Sequence, residues 1–151
     1  MTIELNTTPV IEALRLLQSQ LSPAGMQPVY REIGNTLAHN ITLNLGSGHD
    51  FHGMPFAPLK KPRKTDKGFG TSVPLNDTRQ HIYNKITFNA DGTGVTVGIL
   101  EDTPIGRTHQ FGAPSKNIPA RPFLPINFAG QVDLPADWSA DIMRIIQAQI
   151  G

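Results

Sequence analysis

The sequence predicts an α+β domain: an N-terminal helical hairpin, a small antiparallel sheet with a long basic loop, and a C-terminal helix. Three observations support this. Apolar residues recur at helical spacing between Val10 and Ile41, they recur so again after Leu134, and strict alternation of apolar and polar residues appears between Ile86 and Ile99.

The first helix opens at Thr8-Pro9, where Thr8 can cap free amides, Pro9 suits the first helical position, and Glu12 lies near the positive end of the dipole. Val10, Leu14, Leu17 and Leu21 give it one apolar stripe, and Ser22-Pro23-Ala24-Gly25 is expected to break it. A second helix follows from about Pro28 to Leu43, with Val29, Ile33, Leu37 and Ile41 in steps of four, weakened by Gly34 and by several Asn and Thr residues. Two amphipathic helices joined by a short turn read as a half-buried αα-hairpin.

From Gly46 to Asn76 the periodicity disappears. A loop this long is functional, mobile or both, so residues 46–74 are expected to be the mobile element of a single domain spanning 1–151. Its first part, Asp50 to Leu59, is aromatic and turn-rich and is expected to pack on the body. Its second part holds Lys60, Lys61, Arg63, Lys64 and Lys67, five of the 13 basic residues. Such a cluster is either a solvated tip or a contact for an acidic partner or a nucleic-acid backbone.

Order returns at Pro74, with Asn76, Asp77 or Thr78 placed to cap a short helix through about Tyr83. The runs Ile86–Asn89 and Gly94–Ile99, separated by Asn89-Ala90-Asp91-Gly92-Thr93, form a hairpin. Thr103-Pro104 then opens a helix of about two turns that stops at Gly112 and carries His109 and Phe111. A further strand is expected to begin near Ile118 or to end near Arg121. The terminal helix starts at Leu134-Pro135-Ala136-Asp137 and buries Trp138, Ile142, Ile145 and Ile146.

The densest stretch is His109-Gln110-Phe111-Gly112 followed by Ile118-Pro119-Ala120-Arg121-Pro122-Phe123-Leu124. Gly112 can take the positive φ of a sharp exit, Pro119 and Pro122 remove two amide donors, and Phe111, Phe123 and Leu124 call for burial. Arg121, between prolines, is presented on stiff backbone, which suits a corner or docking surface better than a reaction centre.

Composition narrows the function classes. A net charge of +1 gives no global argument for nucleic acid, and the absence of cysteine excludes disulfides and thiolate chemistry. A hydrophobic content of 38% with 14 Gly and 13 Pro points to a modest core, completed by long connections or by neighbouring subunits. MTIELNTTPV lacks the basic-then-apolar pattern of a secretory leader, and no run approaches the roughly 18 apolar residues of a membrane span, so synthesis and folding in the cytosol are expected. His49-Asp50-Phe51-His52 offers two histidines and an acid but no further ligands at metal spacing, and glycines around it favour turns. His39 and His81 stand alone, and no serine or acid completes a triad with His109. We expect no metal, no cofactor and no enzymatic activity.

HQFG and IPARPFL together resemble the signature of the phage virion morphogenesis family of tail-completion proteins. Gly53-Met54-Pro55-Phe56-Ala57-Pro58-Leu59, the basic run Lys60–Lys67, and Leu75-Asn76-Asp77-Thr78-Arg79 are similar to further family segments, although the family's glycine after the threonine is absent. The similarity spans about residues 50–128. It implies a structural role at the head-proximal end of the tail, in tail completion and head-tail joining, with tail-tube and head-connector proteins as partners. Such proteins form rings, commonly hexameric, that assemble in the host cytoplasm and remain in the virion. On that expectation His109, Gln110, Phe111, Gly112, Ile118, Pro119, Arg121, Pro122 and Phe123 lie at or beneath a subunit contact, with Arg121 paired to an acid or a carbonyl of its own or a neighbouring subunit. The same residues could instead form an intramolecular corner without a partner. A nucleic-acid-binding module gripping phosphate through Lys60, Lys61, Arg63, Lys64 and Lys67 is the alternative function.

Overall fold

The computed structural model describes residues 1–4, 12, 15, 22–60, 73–75, 82–99 and 104–150. Its elements are β1 (Thr2–Glu4), α1 (Pro23–Ser47), β2 (Ile86–Ala90), β3 (Val95–Ile99), α2 (Pro104–Phe111) and α3 (Ala136–Ile150), with 3-10 turns at Tyr83–Lys85 and Pro114–Lys116.

The β2–β3 hairpin and α3 pack on α1. Met26, Val29, Tyr30, Ile33, Leu37, Ile41 and Leu45 are buried along one stripe, at the three- and four-residue steps of a helix face. The helix is longer than the spacing predicts, and the reason is local. Ser22-Pro23-Ala24-Gly25, expected to be a break, is its start: Ser22 is extended, its Oγ accepts a bond from the Gly25 amide at 3.2 Å, and Pro23 occupies the first turn. Pro28 therefore lies inside the helix, where it removes one ladder donor. It is exposed, as is Ala24 one turn earlier, so the missing bond opens to solvent rather than to the core. At the far end the helix continues through Gly46 and Ser47, and Gly48 stops it at φ 77°.

Among the described residues, three strands form an antiparallel sheet in the order β1-β3-β2. The β2–β3 hairpin matches the alternation in the sequence, with Phe88 opposite Val97. Its turn is set by Asp91, whose Oδ1 accepts from the Thr93 and Gly94 amides and from the Thr93 hydroxyl. These bonds hold the Asp91 carboxyl below its ordinary value of 3.8. β1 was not foreseen: three residues with Ile3 alone buried are too few to show a period.

α1 lies across the sheet, and the crossing point is Gly34. A Cβ there would come within 2.4 Å of the Phe88 ring and 2.8 Å of Val95 Cγ2. The residue that weakens the helix by propensity is the one that lets the hairpin approach it. α3 packs on α1 as well, with Trp138, Ile142 and Ile146 buried and Ile145 half-buried.

Several expectations are corrected or fall elsewhere. No strand runs from Ile118 to Arg121; this stretch has one isolated bridge, Ala113 to Ile118, because Pro119 and Pro122 cannot donate to a ladder. Of the first helix, Glu12 and Arg15 are helical and exposed. The rest of that segment, Lys61, Arg63, Lys64 and Lys67 of the basic run, His81, and most of the short helix before Tyr83 lie outside the described residues.

Candidate functional site

The corner between α2 and α3 is built around one side chain. Gln110 is 0% exposed, and all four hydrogen-bonding positions of its amide are used. Its Nε2 donates to the Leu124 carbonyl at 2.9 Å and the Ile126 carbonyl at 3.3 Å. Its Oε1 accepts from the Phe123 amide at 3.0 Å and the Leu124 amide at 2.9 Å. The segment it grips is proline-rich and cannot join a sheet, so Gln110 supplies what a neighbouring strand would otherwise give. The Arg121 amide adds a bond to the His109 carbonyl at 2.7 Å. Gly112 makes the exit possible: its φ is 76°, and a Cβ would meet the Ala120 amide nitrogen at 2.8 Å.

Arg121 ties in a third segment. It is 5% exposed, and its Nε donates to the Ala57 carbonyl at 2.8 Å and its Nη2 to the Pro58 carbonyl at 3.0 Å. The group foreseen as its partner is thus a pair of carbonyls in the same chain. Residues 50–59, expected to pack on the body, do so through buried Phe51 and Phe56. They also hold their own turn: the Asp50 Oδ1 accepts from the His52 and Met54 amides, and the Phe56 amide bonds the Gly48 carbonyl. Lys60, exposed at the end of this segment, donates from Nζ to the Asn117 carbonyl at 2.6 Å.

His109 sits beside this corner with its Nδ1 buried and without a hydrogen-bond partner. Burial, and then the Arg121 charge, hold its pKa below 6.5, so the ring is neutral at neutral pH. Among the described residues no acid is paired with this imidazole. His49 and His52 go separate ways, to the Ser47 hydroxyl and to Asp133 Oδ2 at 3.2 Å. Among the described residues no group of three or more His, Asp or Glu side chains comes together around a metal-sized space, and no helix is long and apolar enough to cross a membrane.

What the corner presents outward is apolar. Phe111 and Pro122 are half-buried. Beside them the chain makes a tight loop in which Asn127 Oδ1 accepts from the Ala129 and Gln131 amides, and this holds out Phe128, 76% exposed. A depression of about 310 Å3 lies between Phe128, Phe111 and Pro122, with the His52–Asp133 pair at its edge. A second, of about 460 Å3, lies on the other side of Phe111 against Pro114, Ile118 and Pro119, with Lys60 at its rim.

The nine motif residues His109, Gln110, Phe111, Gly112, Ile118, Pro119, Arg121, Pro122 and Phe123 are therefore brought together. Gln110, Arg121 and Phe123 lie beneath the surface, while Phe111, Ile118, Pro119 and Pro122 reach it. Sequence reasoning missed Phe128, although Asn127-Phe128-Ala129-Gly130 places an aromatic between turn formers. It also missed the carbonyls of Ala57 and Pro58, which no side-chain pattern reveals.

Fold and corner define a class first: a small α+β domain whose most motif-dense segment uses Gln110 and Arg121 to fix its own main chain. The family follows from sequence. The profile of the phage virion morphogenesis family matches residues 5–135, most of the chain, and the protein belongs to that family. Its role is in building the phage particle, in a family that is structural. No curated protein and no solved structure matches the chain.

Proposed function

We propose that the protein completes the phage tail and prepares it to join the head, acting at the head-proximal end as a ring of identical subunits. Assembly takes place in the host cytoplasm, and the protein stays in the tail or neck of the virion. The observation that carries this is the division of labour in the motif. Gln110 and Arg121 fix three segments from beneath, and the surface above them on the Phe128 side is an apolar rim of Phe111, Pro122 and Phe128. Preorganised apolar surface is what a subunit contact needs, because little ordering entropy remains to be lost on docking. The same division favours a structural part over an enzyme: the Gln110 amide is used on main chain, and Arg121 donates to two carbonyls.

Two measurements test this. Light scattering across a concentration series should give a discrete ring-sized mass, reduced by Phe128→Asp with the melting profile unchanged. Phe128 is the variant of choice because Phe123 is 1% exposed and an acid there would unfold the corner. In a phage or prophage from which the coding sequence is deleted, electron microscopy should show filled heads and unjoined tails. Normal joined particles in the deletion would overturn the assignment.

A further inference from the structure

We propose that the groove beside Phe111 takes an acidic segment with an apolar anchor, contributed by a different virion protein. The inference rests on the assembly reading above and names the chemistry of one partner.

The groove encloses about 460 Å3, within the range of sites that hold several side chains. Its walls are mostly carbon, from the Phe111 ring, Pro114, Ile118, Pro119 and Ala120, with Asn117 as a polar neighbour. Among the described residues lining it none is acidic, and Lys60 is charged. The Lys60 ammonium is held over the rim by the Asn117 carbonyl, which fixes its position without cancelling its charge. Lys116, exposed, lies in the chain between Pro114 and Asn117. The site thus pairs an apolar floor with one sign of charge at its edge. The complement is a peptide that buries Leu, Ile or Phe and carries Asp or Glu beside it. Nucleic acid fits less well, since a phosphate backbone would meet the lysines and leave the apolar floor uncovered. The stiffness of the walls supports docking without rearrangement: Pro114 and Pro119 fix φ, and Gln110 and the Arg121 amide hold the strip from below.

The test uses full-length protein and fluorescein-labelled peptides of about twelve residues, each with one Leu or Phe flanked by Glu, Gln or Lys. Anisotropy titrations should show Glu-flanked peptides binding at least about tenfold more tightly than Lys-flanked ones. Pro114→Glu and Ile118→Asp should each weaken them by about tenfold or more, and Lys60→Glu by about threefold or more. Pro114 and Lys60 are exposed, so those two variants should melt as the parent does even if Ile118→Asp does not. Absence of binding by any peptide, or binding indifferent to flanking charge, overturns the proposal. So does duplex DNA that binds in competition and survives Ile118→Asp, which would make the rim a phosphate site. Self-association abolished by Lys60→Glu would also overturn it, by making a second copy the occupant. The two readings fail separately: wild-type titres for a phage carrying Lys60→Glu and Pro114→Glu, beside a deletion that leaves tails unjoined, would remove the groove proposal and leave tail completion standing.

Discussion

Around α1 and the sheet the main chain satisfies its own hydrogen bonds, whereas in the corner between α2 and α3 side chains do it. The first region is held by apolar burial on regular elements, with Ile41, Leu45 and Ile99 at 0% exposure. The second has no regular partner for its proline-rich strip and depends on the Gln110 amide and the Arg121 guanidinium. The difference has a consequence for mutation. A methyl lost from the body leaves a void that neighbours can partly fill. A polar atom lost from the corner leaves buried donors and acceptors with nothing to bond, which is the more severe defect.

Gln110→Glu puts the contrast to its hardest test, because it keeps the shape and removes both donors. A carboxylate oxygen would then face the Leu124 and Ile126 carbonyls in a fully buried place. We expect a loss of about 4 kcal/mol or more in urea unfolding, a large part of a typical domain's stability, with partial recovery in acid as the carboxyl gains a proton. An unchanged midpoint would show that the corner does not rest on this amide.

In the body, Gly34→Ala sets packing against propensity. Helix propensity alone favours alanine by about 1 kcal/mol. The contact of 2.4 Å with Phe88 should reverse the sign and give a net loss of about 2 kcal/mol. A double-mutant cycle with Phe88→Leu should recover much of it, since the two residues share one contact. Net stabilisation by Gly34→Ala would mean that the hairpin can shift away from α1.

Arg121→Lys keeps the charge but loses the planar pair of donors to Ala57 and Pro58. A loss of about 1–2 kcal/mol is expected. Hydrogen exchange should quicken at the Gly53 and Phe56 amides, whose acceptors lie in the segment that Arg121 ties down, and stay unchanged in β3. Equal acceleration in both regions would break the distinction between them.

The smallest effect is that of His109. Its folded pKa lies below 6.5, so the unfolded chain binds the proton first and stability declines as pH falls from 6.5 toward the folded value; above 6.5 the contribution is constant. Melting temperatures at about pH 7.5 and about pH 5.5 should differ less in His109→Leu than in the parent. The same difference in both would show that folding does not lower the proton affinity of the ring.

Some of this was legible in the sequence for a plain reason: periodicity reports burial directly. Val29, Ile33, Leu37 and Ile41 of α1, the β2–β3 hairpin, and Trp138, Ile142 and Ile146 of α3 were read from spacing and are buried or paired as expected. Boundaries were less legible. Ser22-Pro23 carries both helix-stop and helix-start chemistry, and the bond from the Gly25 amide to Ser22 Oγ together with the burial of Met26 marks it as the start. The clamp was half legible: the sequence marked His109–Gly112 and Ile118–Leu124 as belonging together, while the pairing of Gln110 with main chain was invisible.

By itself the sequence determined the class of fold, the family, and the residues that gather at the corner, because hydrophobic spacing, turn chemistry and ordered motifs are properties of the chain. The tertiary structure decided which of those residues lie beneath the surface and which on it. Main-chain carbonyls carry no side-chain signature, so the partners of Gln110 and Arg121 exist only once the strip at 121–126 and the segment at 48–60 are folded against α2.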